Sequence, residues 1–122
     1  FIANYQRARN LYPKELKIVV DQFLKITQSL STAWKSEDID LIINLLKNYD
    51  VHIKKLDKIG DIGIYTQAHT DIQNISSRHN VFYKPSGAGG GDIGLAFSSS
   101  LDALSDFSDE IGKVSWNIGY LD

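Results

Sequence analysis

The run Lys84-Pro85-Ser86-Gly87-Ala88-Gly89-Gly90-Gly91-Asp92 packs four glycines into five positions, with an ammonium and a hydroxyl on one side and a carboxylate on the other. Glycine reaches positive φ without steric cost, so such a run can turn successive backbone N–H groups inward as a concave donor surface for an anion, phosphate above all. A flexible linker uses the same residue type but is bordered by polar, low-complexity sequence. Here the run is entered from Val81-Phe82-Tyr83 and leaves into Ile93-Gly94-Leu95-Ala96-Phe97. The exit alternates Ile93, Leu95 and Phe97 with Gly94 and Ala96, which predicts a strand whose larger residues form the buried face.

Two nucleotide-binding devices can be tested against this run. Gly89, Gly91 and Gly94 match the spacing of a dinucleotide fingerprint, but that motif must open a helix, and a strand follows here. A Walker loop fails because no Gly-Lys-Ser/Thr follows at the required spacing. Within the run, Lys84 either offers its ammonium to a phosphate or braces the loop by bonding its carbonyls, and the second role is favoured. Ser86 either donates to a phosphate oxygen or caps the turn. Gly87, Ala88, Gly89 and Gly90 would act through backbone N–H groups. Asp92 beside an anion site is better suited to bonding loop N–H groups than to placing Mg²⁺.

Other chemistry-bearing residues read more plainly. His52, His69 and His79 lack metal-ligand spacing and are read as ordinary helix positions. Asp102, Asp106, Asp109 and Glu110 are read as a solvated helix face. Trp34 and Trp116 are expected to be core or interface anchors rather than ligand platforms.

The elements that must carry the run are predominantly helical. From Pro13 to Trp34, apolar side chains at Leu16, Val19, Val20, Phe23, Ile26 and Leu30 repeat with helical spacing, and Pro13 suits the first turn. A second helix is expected after Ser36 as its cap, through Ile39, Ile42, Ile43, Leu46, Tyr49, Ile53 and Leu56, with Lys54, Lys55 and Lys58 complementing its C-terminal end. The short connection makes the pair an antiparallel hairpin. A third helix is expected from an N-cap at Thr66 to about Asn80, with Tyr65, Ala68, Ile72 and Ile75 inward. A fourth follows Ser98-Ser99-Ser100, with Leu101, Leu104, Phe107, Ile111 and Val114 as its stripe. Residues 1–10 are expected to be a helical lead-in. Two strands joined by a tight loop among these helices predict an α+β fold, an antiparallel sheet covered by helices on one face.

At 122 residues, the chain is expected to form one domain, 1–122. Thirteen basic and fifteen acidic side chains give a net charge of −2, with the cations scattered, so nothing points to nucleic acid. No cysteine is present, which excludes disulfides and thiolate metal sites. No stretch approaches the roughly 18 to 20 apolar residues of a membrane span, and a soluble protein is expected. The chain has no methionine and ends where Tyr120-Leu121 is expected to begin a strand after Gly119, which reads as a piece of a larger protein.

Lys84 through Phe97 resembles the third conserved motif of the GHMP small-molecule kinases, the family of galactokinase, homoserine kinase and mevalonate kinase, and it is most similar to the form found in phosphomevalonate kinases. Mevalonate kinases usually continue with Gly-Gly-Cys where this chain has Gly91-Asp92, and diphosphomevalonate decarboxylases carry a shorter loop. Tyr65-Thr66 opening a helix and Trp116 followed by Gly119 add weaker likeness. Ile93 departs from the cysteine common in the family.

The resemblance covers a C-terminal domain only, since nothing in residues 1–83 resembles the family's nucleotide motif. It implies a ferredoxin-like split βαβ domain, incomplete at its termini, in a cytoplasmic enzyme that transfers the γ-phosphoryl group of ATP, with Mg²⁺, to 5-phosphomevalonate, giving 5-diphosphomevalonate for isoprenoid precursor synthesis. It implies that the loop lies in the active cleft, which favours the phosphate-donor reading of Ser86. No catalytic residue is expected in this fragment, which alone should be inactive. Its partners would be the substrate, ATP and the missing N-terminal domain, with self-association through an exposed sheet edge; no nucleic acid or membrane is expected. The alternatives are a sister kinase acting on mevalonate or another small alcohol, and a non-catalytic anion-binding module.

Overall fold

The computed structural model describes residues 2–86 and 93–113. In chain order the elements are α1 (Ile2–Leu11), α2 (Pro13–Lys35), α3 (Ile39–Gly60), α4 (Gln67–Arg78), β1 (Phe82–Pro85), β2 (Gly94–Phe97) and α5 (Leu101–Gly112). The fold is α+β, with helices dominating and a two-stranded antiparallel sheet among the described residues.

Helix α2 starts with Pro13, whose missing N–H costs nothing in a first turn. Its end is sharper than the apolar pattern indicates. Glu37 takes a left-handed φ of 56°, and its N–H and that of Asp38 return to the carbonyls of Trp34 and Ala33. Ser36 therefore closes α2, donating its hydroxyl to the Ala33 carbonyl at 2.9 Å, and does not cap the next helix. Asp38 caps α3, its carboxylate accepting the Leu41 N–H at 3.1 Å. The reversal uses up Ser36 and Glu37, so the first residue back in extended geometry becomes the cap.

α2 and α3 pack against each other as a hairpin, and α1 contacts both. Leu16, Val19 and Leu56 are buried at this contact, with Tyr5, Val20, Phe23, Ile59 and Ile62 packed around them. Each buried aliphatic side chain contributes about 1.5–3 kcal/mol. The lead-in helix has a specific task. Arg7 Nη2 and Asn4 Nδ2 donate to the carbonyls of Gly60 and Asp61, both at 3.1 Å, satisfying groups that the end of α3 leaves open. Gly60 makes room for the chain that leaves α3, because a Cβ there would sit 2.7 Å from the Ile62 side chain, whereas its 3.5 Å to Ala8 of α1 would be ordinary contact.

The second core lies between α4, the sheet and α5, where Ile72, Val81, Tyr83, Phe107 and Ile111 are buried, with the partly buried Ile75, Ala96, Ala103 and Leu104 packed against them. Thr66 and Ser100 cap α4 and α5 through their hydroxyls. Leu101 is 82 % exposed and stands off the expected stripe, because it occupies the first position of α5, before the helix turns onto the core. Val114 lies outside the described residues.

In the sheet, Phe82 pairs with Phe97, Tyr83 with Ala96, Lys84 with Leu95 and Pro85 with Gly94. The expected faces of β2 are redistributed. Ala96 meets the core, Ile93 is 63 % exposed, and Leu95 and Phe97 are half-buried, the latter stacked on Phe82 with ring centroids 6.2 Å apart. The Tyr83 ring explains this, because it lies where a Cβ on Gly94 would be and fills the space that small residues leave on the core side. Trp34, 66 % exposed, is not a core residue. No described helix is long and apolar enough to cross a membrane.

Candidate functional site

The glycine-rich run is bounded by strands that pair with each other. The ladder closes at its neck with the Ser86 N–H donating to the Ile93 carbonyl at 3.0 Å. Gly87, Ala88, Gly89, Gly90, Gly91 and Asp92 lie outside the described residues, as do Trp116, Gly119 and Tyr120. Lys84 and Ser86 are described, and both are half-buried at the neck.

Lys84 turns toward α3. Its Nζ donates to the Pro85 carbonyl at 2.5 Å and stands 5.9 Å from the centroid of the Tyr49 ring. Burial pushes its pKa down, and the negative charge of Asp50 opposes that shift. Asp50 itself is 4 % exposed, near the middle of α3.

A carboxylate so placed must be hydrogen-bonded or paired, and this one is. Oδ1 accepts the Tyr65 hydroxyl, and Oδ2 accepts Gln73 Nε2 at 3.0 Å and lies 3.4 Å from Lys54 Nζ. Burial raises the Asp50 pKa, opposed first by Lys54, then by the Gln73 and Lys54 hydrogen bonds and by the charge of Lys84. Gln73 Nε2 also donates to the Tyr83 carbonyl at 3.0 Å, which joins α3, α4 and β1 through a single amide.

The segment between α3 and α4 supplies Tyr65, and another carboxylate fixes it there. Asp57 accepts the N–H groups of Gly63 at 2.8 Å, Ile64 at 3.0 Å and Tyr65 at 2.9 Å. Three donors converging on one carboxylate make a small nest that the chain fills with its own anion. Outside this latch is an open cleft of about 570 Å³, whose walls include Lys54, Lys58, Tyr65, Gln73 and Asn74.

One turn before Gln73 on α4, His69 is completely buried and its Nδ1 hydrogen-bonds the Tyr83 hydroxyl at 2.7 Å. It is a core residue rather than an ordinary helix position. Burial pushes the Tyr83 pKa up to about 12, so the phenol stays neutral in that bond. His79 and Arg78 both pair with Glu110, the Arg78 contact at 2.5 Å. Glu110 is therefore a clip between α4 and α5 and not part of a solvated face; Asp102, Asp106 and Asp109 are exposed as expected.

Asp50, Tyr65 and Gln73 were not singled out as site residues from the sequence, although a signal was there. Ile43, Leu46, Asp50 and Ile53 continue one helical stripe, so Asp50 is a charge on an apolar face. His69 sits in the same way between the inward positions Tyr65 and Ile72.

No family model matches the chain, and no curated protein matches it. Among solved structures, its fold is similar to that of the Lin0012 protein from Listeria innocua, with a TM-score of 0.86 and 19 % sequence identity. The match covers 93 % of this chain and 32 % of that one, so the chain spans about one third of that protein's length. Identity at this level carries the fold alone.

Proposed function

We propose that this chain is C-terminal domain sequence of a GHMP-type small-molecule kinase, most like phosphomevalonate kinase, which transfers the γ-phosphoryl group of ATP to 5-phosphomevalonate. The observation that carries this reading is the run Lys84–Asp92 between two strands paired in register, with its neck closed by the Ser86–Ile93 bond. A hairpin held at both ends can present backbone N–H groups at fixed positions, and phosphoryl transfer depends chiefly on positioning and charge stabilisation. β1 and β2 would then belong to a larger split βαβ sheet, whose further strands would cover the edges of this pair.

On this reading Ser86 donates to a phosphate oxygen, Gly87, Ala88, Gly89 and Gly90 offer main-chain donors, and Asp92 holds the turn. The described residues do not fit a metal: among them no three His, Cys, Asp or Glu side chains are grouped to hold one, and the Asp50 oxygens are already bonded. Mg²⁺ and the adenine nucleotide would be held by an N-terminal domain, so the 122-residue chain alone is expected to be inactive.

Coupled ADP release by the full-length protein tests this, with phosphomevalonate and mevalonate as parallel acceptors. The expected result is turnover that requires phosphomevalonate and falls about 10- to 100-fold in Ser86→Ala, the scale of one lost hydrogen bond to a charged oxygen. Turnover with mevalonate alone would replace the acceptor, and none with either would leave an anion-binding module.

A further inference from the structure

The Asp50 cluster is larger than the fold requires. Apolar residues of similar volume often replace a buried ion pair at no loss of stability, so stability alone does not account for a charge on the apolar stripe of α3. Its location is more informative than its strength. Tyr49, the residue before Asp50, faces the Lys84 ammonium, and Gln73, bonded to Asp50, holds the carbonyl of the residue before Lys84. The β1 backbone beside Lys84 is thus referred to that carboxylate through Gln73, and the Lys84 side chain lies against the residue that precedes it on α3.

We infer that Asp50 is a positioning residue, which through Gln73 holds the β1 backbone beside Lys84 in place, so that the Lys84 ammonium can receive an anionic oxygen at the neck of the glycine-rich hairpin. The identity of that oxygen as phosphate rests on the function proposed above; the positioning does not. The charged and titratable groups around Asp50 are Lys54 of α3, Tyr65 of the α3–α4 segment and Lys84 of β1, while α4 contributes the neutral Gln73. The Lys54 ammonium is half-exposed, and it also stands 5.1 Å from the Tyr65 ring. Lys84 is the cation that β1 itself carries, beside the neck. Burial favours its neutral form, and the Asp50 charge works against that loss. An uncharged Lys84 would still brace the Pro85 carbonyl but would attract an anion far less.

The test uses the full-length protein with ¹³C-labelled lysines, the Lys84 ε signal being assigned by Lys84→Arg. In the wild type, that signal is expected to show a second inflection at acid pH as Asp50 ionises, and to shift on addition of inorganic phosphate. In Asp50→Asn, Lys84 is expected to titrate at lower pH than in the wild type, and phosphate to bind about ten-fold more weakly, the scale of one charge-assisted contact. Asp50→Glu should recover part of that affinity. If the full-length protein is a kinase, Asp50→Asn should raise KM for the phosphorylated acceptor about ten-fold while kcat changes less, and the loss should grow toward alkaline pH.

A Lys84 signal indifferent to Asp50 ionisation overturns the inference, and this wild-type measurement stands even if the Asn variant fails to fold. Unchanged phosphate affinity in a folded Asp50→Asn protein overturns it as well. An inactive protein that keeps both the coupling and the phosphate response supports the positioning and discards only the kinase reading. An active kinase whose KM ignores Asp50→Asn discards the positioning alone.

Discussion

The α1–α2–α3 packing and the α4–sheet–α5 packing bury similar kinds of aliphatic side chain but treat polar groups differently. Around Leu16, Val19 and Leu56 the contact is apolar, and polar bonds occur at its rim, as where Arg7 and Asn4 meet the end of α3. Around Ile72 and Tyr83, the core is bordered by three buried polar side chains, Asp50, His69 and Ser76. Polar burial therefore concentrates beside the strands that carry the glycine-rich hairpin. An apolar contact tolerates small relative shifts at modest cost, whereas a satisfied polar network accepts few geometries and so fixes positions. The first region contributes mainly stability, and the second uses polar groups to place Tyr83 and the β1 backbone at the neck.

The comparison can be broken most forcefully in the apolar region. Leu56→Ala, at a residue 5 % exposed, is expected to lower unfolding free energy by about 2–5 kcal/mol in urea denaturation. The Lys84 signal in the remaining folded fraction should not change. A change there would mean that the two regions are not separable.

A smaller effect is expected from Asp57→Ala, which deprives the N–H groups of Gly63, Ile64 and Tyr65 of their acceptor. The expected cost is about 1–3 kcal/mol. Amide exchange should accelerate at residues 63–65 and leave α2 protected, and uniform acceleration would argue against a local latch.

The smallest effect separates two carboxylates by sign. Glu110 has its pKa lowered by hydrogen bonds from His79 and Arg78, so at acid pH the unfolded chain binds more protons than the folded one. The stability it supplies is present above the ordinary glutamate range and is lost as pH falls through its folded value. Asp50, raised by burial, has the opposite slope: the folded chain holds its proton longer, and stability falls as pH rises from the ordinary aspartate range through the folded value. Glu110→Gln should therefore flatten the acid limb of stability against pH, and Asp50→Asn should steepen it. The same direction of change in both variants would contradict the contrast.

Much of the scaffold could be read from residue spacing because the forces behind it are local. The 3.6-residue repeat of Leu16, Val19, Phe23 and Ile26 predicts α2 to within a residue of its end, and Thr66 and Ser100 act as caps because a hydroxyl needs only the next turn as its partner. Ser36 was misread for a physical reason: whether a serine closes one helix or opens the next depends on where the left-handed residue falls, and Glu37 took that place. The buried face of β2 was misread because small residues there are matched by the Tyr83 ring across the sheet, a pairing set by register.

The candidate site divides along the same line. Lys84, Ser86 and the glycines announce themselves by type and adjacency, since anion binding by a loop uses consecutive backbone groups. Asp50 announces only that a charge sits on an apolar stripe. That it meets Tyr65 and Gln73, and feels the charge of Lys84, follows from segments 15, 23 and 34 residues farther along the chain packing around it. Sequence determined the helices and the Thr66 cap, and it made the composition of the hairpin run legible, because each depends on residues within a few positions of one another. Which charges are buried together, and which cation is held at the neck, was decided only when α3, α4 and β1 packed, because desolvation and ion pairing act through space.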